Sequence, residues 1–110
     1  MDTLSELLQR FGPVNELEYG ADFLEHLRVR GTYPKHQVTV PEIDEVFTHE
    51  PQYFLNNSTG RAPLVMVGPT AVGRFLTVAL VPSDQRGRWR VYTAFESNRH
   101  HINRYRGKEE

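Results

Sequence analysis

The spacing of hydrophobic residues changes from helical to strand-like about halfway along the chain. Leucine and phenylalanine recur at helical spacing over Leu4–Phe11 and again over residues 22–30, which predicts two amphipathic helices. Gly12-Pro13 ends the first helix, and residues 17–19 between the two helices are predicted as a short strand. A third helix is predicted over residues 41–49, where a proline suits the first helical position.

Three strands are predicted in the second half of the chain. Residues 64–68 and 75–81 are apolar runs that flank a turn at residues 69–73, and a turn at residues 82–87 leads into the third strand. The third strand, residues 88–95, alternates in polarity. The residues predicted to share its apolar face are Trp89, Val91, Thr93 and Phe95, and the other face carries Arg90 and Tyr92.

The remaining segments complete the predicted architecture. Residues 32–40 are predicted as an extended connection, and residues 53–59 lead into a turn cluster, Asn57-Ser-Thr-Gly. Asn98 is suited to cap a last short helix that reaches Tyr105. Helices that precede a meander of strands predict an α+β fold, with helices packed on one face of a small antiparallel sheet.

Composition predicts one globular domain over residues 1–110. The chain has no cysteine, which excludes disulfides and thiolate zinc sites. The histidines show no familiar ligand spacing, so neither a metal nor another cofactor is expected. The longest apolar run, residues 75–81, is too short to cross a bilayer, and no signal segment opens the chain. A cytoplasmic protein without membrane contacts is therefore expected.

Charge is distributed unevenly although the net charge is only -1. Residues 1–60 contain ten acids and four bases, a balance of -6, whereas residues 86–110 contain seven bases and three acids, a balance of +4. The basic end is also rich in histidine and tyrosine. Arginine contacts phosphate oxygens with a planar fork, histidine transfers protons near neutral pH, and tyrosine stacks on bases. This segment therefore points to RNA, although a solvated tail would have the same charge.

Several motifs occur in a fixed order along the chain. The first half contains Leu17-Glu-Tyr-Gly, Phe23-Leu-Glu-His-Leu-Arg-Val-Arg-Gly and Glu45-Val-Phe-Thr-His-Glu-Pro. The second half contains a hairpin of the form Gly-x-Thr-x-x-Gly-Arg-x-Leu-x-Val from residue 68, then Arg90-Val-Tyr-Thr-Ala and a basic tail that ends in Tyr105. In these motifs residues 17–106 resemble the BrnT-like ribonuclease toxins of bacterial type II toxin–antitoxin systems, which have a RelE-like fold.

The resemblance implies a metal-independent endoribonuclease, an mRNA interferase that a cognate antitoxin neutralises. RNA, including ribosome-associated mRNA, would be its substrate, and a homodimer or a toxin–antitoxin hetero-oligomer would be its assembly. The implied catalytic residues are Arg74, Arg90, Arg99, His100 and Tyr105. The implied RNA-binding residues are Arg61, Arg88, His101 and Arg104. Arg74 and Arg90 are expected to face a shared groove, flanked by the residues of the tail.

The chain departs from the family pattern at three places. Phe95 occupies the position after the Ala of the last strand where the family usually has Arg, the connection at residues 32–40 is longer, and residues 1–16 form a helical extension without a counterpart. Residues 107–110 are expected to be a frayed tail. Phe95 favours an alternative function, a noncatalytic member of the same fold that binds RNA or a protein. Each arginine can equally be a solvated charge on a strand face or a contact with a partner, and His100-His101 is more often a surface pair than an acid–base couple.

Overall fold

The computed structural model describes residues 3–30, 38–56 and 62–107. The helices are α1 (Leu4–Phe11), α2 (Ala21–Arg30), α3 (Val40–Thr48) and α4 (Arg99–Tyr105). The strands are β1 (Glu16–Glu18), β2 (Gln52–Leu55), β3 (Leu64–Pro69), β4 (Phe75–Pro82) and β5 (Arg88–Glu96). The predicted α+β class and the three helices before the meander are confirmed. No helix among these residues is long and apolar enough to cross a membrane.

The strands form one five-stranded sheet in the order β1-β5-β4-β3-β2. The antiparallel pairing of β3 with β4 and of β4 with β5 confirms the predicted meander. Two strands extend it beyond the prediction. β2, in a segment interpreted as a lead into a turn, pairs antiparallel with β3, and β1 pairs parallel with β5, which makes the sheet mixed.

The main core lies between one face of the sheet and the first three helices. Leu7 of α1, Phe23 of α2 and Ile43 of α3 are buried against this face. The sheet contributes the largest share of the cluster, in particular Leu64, Met66, Leu76, Val78, Leu80, Trp89 and Val91. These residues alternate along each strand with residues of the second face, as period-two strands require.

Helix α1 is an integral part of this core. Thr3 and Glu6 form a reciprocal capping box at its start. At its end, the Trp89 indole N–H donates to the Gly12 carbonyl oxygen at 3.1 Å, and the Trp89 ring meets Phe11 edge to face at 6.2 Å between centroids. Gly12 has φ +89°, and a Cβ there would lie 2.5 Å from the Gly87 nitrogen. The N-terminal extension is thus held against β5 and requires glycine at its exit.

The predicted alternation of β5 is wrong beyond Val91. Leu80 pairs with Val91 but Ala79 pairs with Thr93, so a bulge at Tyr92 shifts the register by one residue. Ala94 then joins the core of the helix-covered face, whereas Thr93 and Phe95 turn to the second face. The extra residue in the bulge therefore puts Phe95 on the opposite face of the sheet from Trp89 and Val91.

Helix α4 packs on that second face, opposite the other helices. Thr77 alternates with the core residues Leu76 and Val78, so its side chain lies on the second face, where it meets His101 of α4. The Arg104 guanidinium lies 4.2 Å from the centroid of the Phe54 ring. The chain therefore reaches α4 directly from the end of β5 and places a basic helix across the sheet.

Candidate functional site

Arg74 immediately precedes β4 and connects the β3–β4 turn to helix α3. Its guanidinium NH1 donates to Glu42 Oε2 at 3.0 Å, and its Nε lies 3.9 Å from Glu96 Oε2. The other carboxylate oxygen of Glu42 accepts from the Thr39 backbone N–H at 2.9 Å and completes the cap of α3. Arg74 is mostly covered, with 22% of its side chain exposed. These contacts assign Arg74 a structural role.

Arg88 and Arg90 lie on β5 beside the edge strand β1. Arg90 pairs with Glu18 at 2.9 Å, and Arg88 pairs more loosely with Glu16 at 3.6 Å. Parallel pairing of the two strands places each arginine next to its acid in register. Both arginines are thus neutralised by carboxylates of the neighbouring strand.

The predicted groove shared by Arg74 and Arg90 is wrong. Arg90 lies opposite Val81, seven residues along β4 from Arg74, which is roughly 23 Å of extended chain. The two side chains also point to opposite faces. Arg74 contacts Glu42 of α3 on the helix-covered face, whereas Arg90 shares the second face with Val81. No single phosphate can contact both.

The structure brings the remaining predicted residues together on α4. Arg99 and His100 are exposed at its start, and Arg106 is exposed just after its end. Arg99 and Arg106 share one side of the helix with Ile102 and Asn103, and these four residues line a shallow depression of about 380 Å3. None of the ion pairs among the described residues involves Arg99 or Arg106.

Tyr105 and Arg104 attach α4 to the sheet. The Tyr105 hydroxyl donates to the Glu50 carbonyl oxygen at 3.4 Å, and its ring meets the Phe75 ring at 5.3 Å between centroids. Arg104 covers the Phe54 ring, a cation–π geometry. These two predicted site residues therefore orient the helix and are turned away from its outer side.

His101 is joined to the sheet by a chain of hydrogen bonds. Its Nδ1 lies 2.9 Å from the Thr77 hydroxyl, which lies 2.7 Å from the Ser97 hydroxyl. Burial lowers the pKa of His101 below its usual value of 6.5, and the nearby charges of His100 and Arg104 lower it further. His101 is therefore held neutral at pH 7, while His100 beside it is exposed.

Phe95 contacts the same chain of groups. It lies across from Thr77 on the neighbouring strand, and its ring is 6.3 Å from the His101 ring between centroids. The position at which the resemblance to the toxins would place an Arg therefore lies next to α4 and is filled by a half-buried aromatic ring. The aromatic ring supplies packing and no charge at this point.

The partners of these residues were not predicted from the sequence. Glu42, Glu16 and Glu18 neutralise the strand arginines, and Thr77 and Ser97 hold His101. Among these contacts, only the helix cap formed by Thr39 and Glu42 has a recognisable sequence pattern, an acid three residues after a threonine. Arg61 lies outside the described residues. Within the described part of the chain, no three His, Cys, Asp or Glu residues are grouped closely enough to hold a metal ion.

The α4 surface thus combines exposed cationic groups, an exposed histidine and an amide on a helix fixed to the sheet. Such a surface can contact successive phosphates without reading sequence. No family model matches the chain, and no curated protein and no solved structure shows significant similarity to it.

Proposed function

We propose that the protein binds single-stranded RNA through the outer side of α4. The observation that carries the proposal is the contrast between two groups of arginines. Arg74, Arg88 and Arg90 pair with glutamates, whereas Arg99 and Arg106 are exposed beside Asn103 without an ion pair among the described residues. Arginines not already neutralised by carboxylates are the ones that can neutralise phosphate and release counterions.

The spacing of α4 suits a nucleic-acid backbone. Arg99 and Arg106 are seven residues apart, which corresponds to two helical turns and about 10.5 Å along the axis. That length spans more than one phosphate-to-phosphate step of an extended strand. Phe75, which lies under Arg106 at 5.3 Å from the guanidinium carbon, restrains the second arginine. The helix thus offers two phosphate contacts at a fixed separation.

The proposal is tested by fluorescence anisotropy with a labelled 12-nucleotide single-stranded RNA. Replacing both Arg99 and Arg106 with alanine is expected to weaken binding about tenfold, since two partly exposed charge contacts contribute roughly 1.4 kcal/mol. Thermal unfolding of the same variant checks that the fold is retained. A folded double variant that binds RNA as tightly as the native chain would refute the proposal.

A second candidate function is the metal-independent endoribonuclease that the family resemblance implies. His100 supports it, because it is exposed directly beside Arg99, where a general acid or base would lie next to a charge that stabilises the phosphorane. In this function His101 does not transfer protons to RNA but positions α4. An antitoxin would neutralise the activity by covering the helix.

Denaturing gels distinguish the two candidates. The RNA is incubated with the native chain or with the His100→Ala variant, in both cases with a chelator present. Cleavage that His100→Ala abolishes without loss of RNA affinity supports the ribonuclease. Intact RNA at saturating native protein supports binding alone. Expression of the native chain in bacteria gives the cellular counterpart, since a toxin arrests growth until a small partner protein is expressed with it.

A further inference from the structure

A cleft of about 840 Å3 lies away from the outer side of α4, between the start of α2 and the middle of β5. Among the described residues its lining includes Glu18, Asp22, Phe23, Val81, Arg90 and Tyr92. β1 ends at Glu18, where the chain turns toward α2, whereas β5 continues to Glu96. The cleft therefore opens beside β5 at the point where its parallel neighbour ends, and its size falls in the range of ligand sites.

The charge of the cleft is opposite to that of α4. Among the described residues, the members of its lining that are charged at neutral pH are Glu18, Asp22 and Arg90, with two negative charges and one positive charge. Arg90 is engaged by Glu18 at 2.9 Å, so the remaining charge is that of Asp22, which is exposed in the first turn of α2. A phosphate would meet this carboxylate, whereas a cation would pair with it. The cleft therefore favours a positively charged group.

Exposed apolar surface borders the same cleft. Tyr92, which lines the cleft, is 47% exposed and is one of the three large hydrophobic residues exposed to this degree among the described residues. Tyr92 is the bulged residue of β5, and bulges re-aim side chains next to functional sites. Val81, which is half-buried on the neighbouring strand β4, lines the cleft as well. Tyrosine is enriched in protein–protein interfaces, so the exposed Tyr92 ring favours a protein segment as the occupant of the cleft.

We propose that this cleft binds an arginine side chain carried by an apolar segment of a partner protein. The guanidinium plane stacks on the exposed Tyr92 ring while its N–H groups pair with the Asp22 carboxylate. The apolar neighbours of that arginine contact Val81. Arginine fits better than lysine because the planar guanidinium stacks and forms two parallel hydrogen bonds, which an ammonium does not. This interaction is independent of RNA binding at α4, and both can occur at once.

The test is a titration of the full-length, 15N-labelled protein with the acetylated peptide amide Leu-Arg-Leu, observed by NMR in 0.15 M salt. Chemical-shift changes are expected at Glu18, Asp22 and Tyr92 and not on α4. The same peptide with citrulline in place of arginine keeps the shape and loses the charge, and it is expected to bind at least tenfold more weakly. Equal binding of the two peptides would overturn the proposal.

Variants of α2 provide the matched comparison. Asp22→Asn is expected to weaken binding of the arginine peptide about fivefold. Glu25→Gln is the same loss of charge on the same helix outside the cleft lining, and it is expected to change affinity less than twofold. Thermal unfolding checks both folds. A titration with guanosine 5′-monophosphate tests the alternative occupant: perturbation of the cleft by the nucleotide and not by the peptide would show a base-binding site and refute the arginine site.

Discussion

The ion pair of Arg74 with Glu42 is expected to stabilise the fold and to contribute nothing to RNA affinity. Arg74→Met removes the guanidinium and keeps an apolar stem of similar length. The pair has an N–O distance of 3.0 Å, with side-chain exposures of 22% and 25%. Because the pair is partly buried, it contributes more to stability than an exposed pair does. We expect Arg74→Met to lower the free energy of unfolding by about 1–2 kcal/mol.

A double-mutant cycle isolates the pair itself. Glu42→Gln removes the charge but keeps the oxygen that accepts from the Thr39 backbone N–H at 2.9 Å, so the cap of α3 survives. Urea denaturation of the native chain, the two single variants and the double variant is expected to give a coupling energy of about 1 kcal/mol. The longer pair between Arg88 and Glu16, at 3.6 Å, is the control. Its coupling energy is expected to stay below about 0.5 kcal/mol.

Two results would refute the reasoning about Arg74. Additive effects of the Arg74 and Glu42 substitutions would show that the pair contributes no net stability. A loss of RNA affinity in Arg74→Met, measured under conditions in which the variant is fully folded, would show that Arg74 contacts phosphate after all. The two measurements together separate a structural arginine from a binding one.

Three further predictions concern stability. Trp89→Phe is expected to lower the free energy of unfolding by about 2 kcal/mol, because the Gly12 carbonyl oxygen loses its indole donor; an unchanged denaturation midpoint would contradict the docking of α1. Since the pKa of His101 is lowered in the folded state, the unfolded state binds its proton first, and stability is expected to fall as pH drops below about 6.5. His101→Gln should flatten that dependence in urea titrations at about pH 7 and pH 5, and an equally steep loss would exclude His101 as its source. Phe95→Arg is expected to lower stability by about 1–3 kcal/mol relative to Phe95→Leu, because a charge replaces a half-buried ring beside the basic helix; equal stabilities would contradict this.

Local signals in the sequence were sufficient for most elements of the fold. Proline and glycine clusters delimit the strands of the meander, and the helical spacing of leucines defines α1. Asn98 caps α4 as its residue type predicts, accepting from the His101 backbone N–H at 2.9 Å. Each of these features depends on residues within a few positions of one another, so the sequence carries them directly.

Features that depend on pairing between residues far apart in the chain could not be predicted from the sequence. The bulge at Tyr92 has no marker in a strand that alternates without interruption, and it appears only when β5 is aligned with β4. The pairing of Arg74 with Glu42 joins residues 32 positions apart, and no local pattern indicates which acid an arginine meets. The predicted site therefore named suitable residue types but grouped two arginines that the sheet register separates.

The most direct test of RNA binding at α4 is the salt dependence of affinity for a single-stranded RNA. Anisotropy titrations between about 50 and 200 mM salt give the slope of log affinity against log salt, which decreases by roughly 0.7 for each lost phosphate contact. The double variant Arg99→Ala, Arg106→Ala is expected to have a slope shallower by about 1.4, while the matched control Arg88→Ala, Arg90→Ala retains the native slope. The account would be contradicted if the α4 double variant kept the native salt slope. It would also be contradicted if the β5 control lost as much of the slope as the α4 variant does.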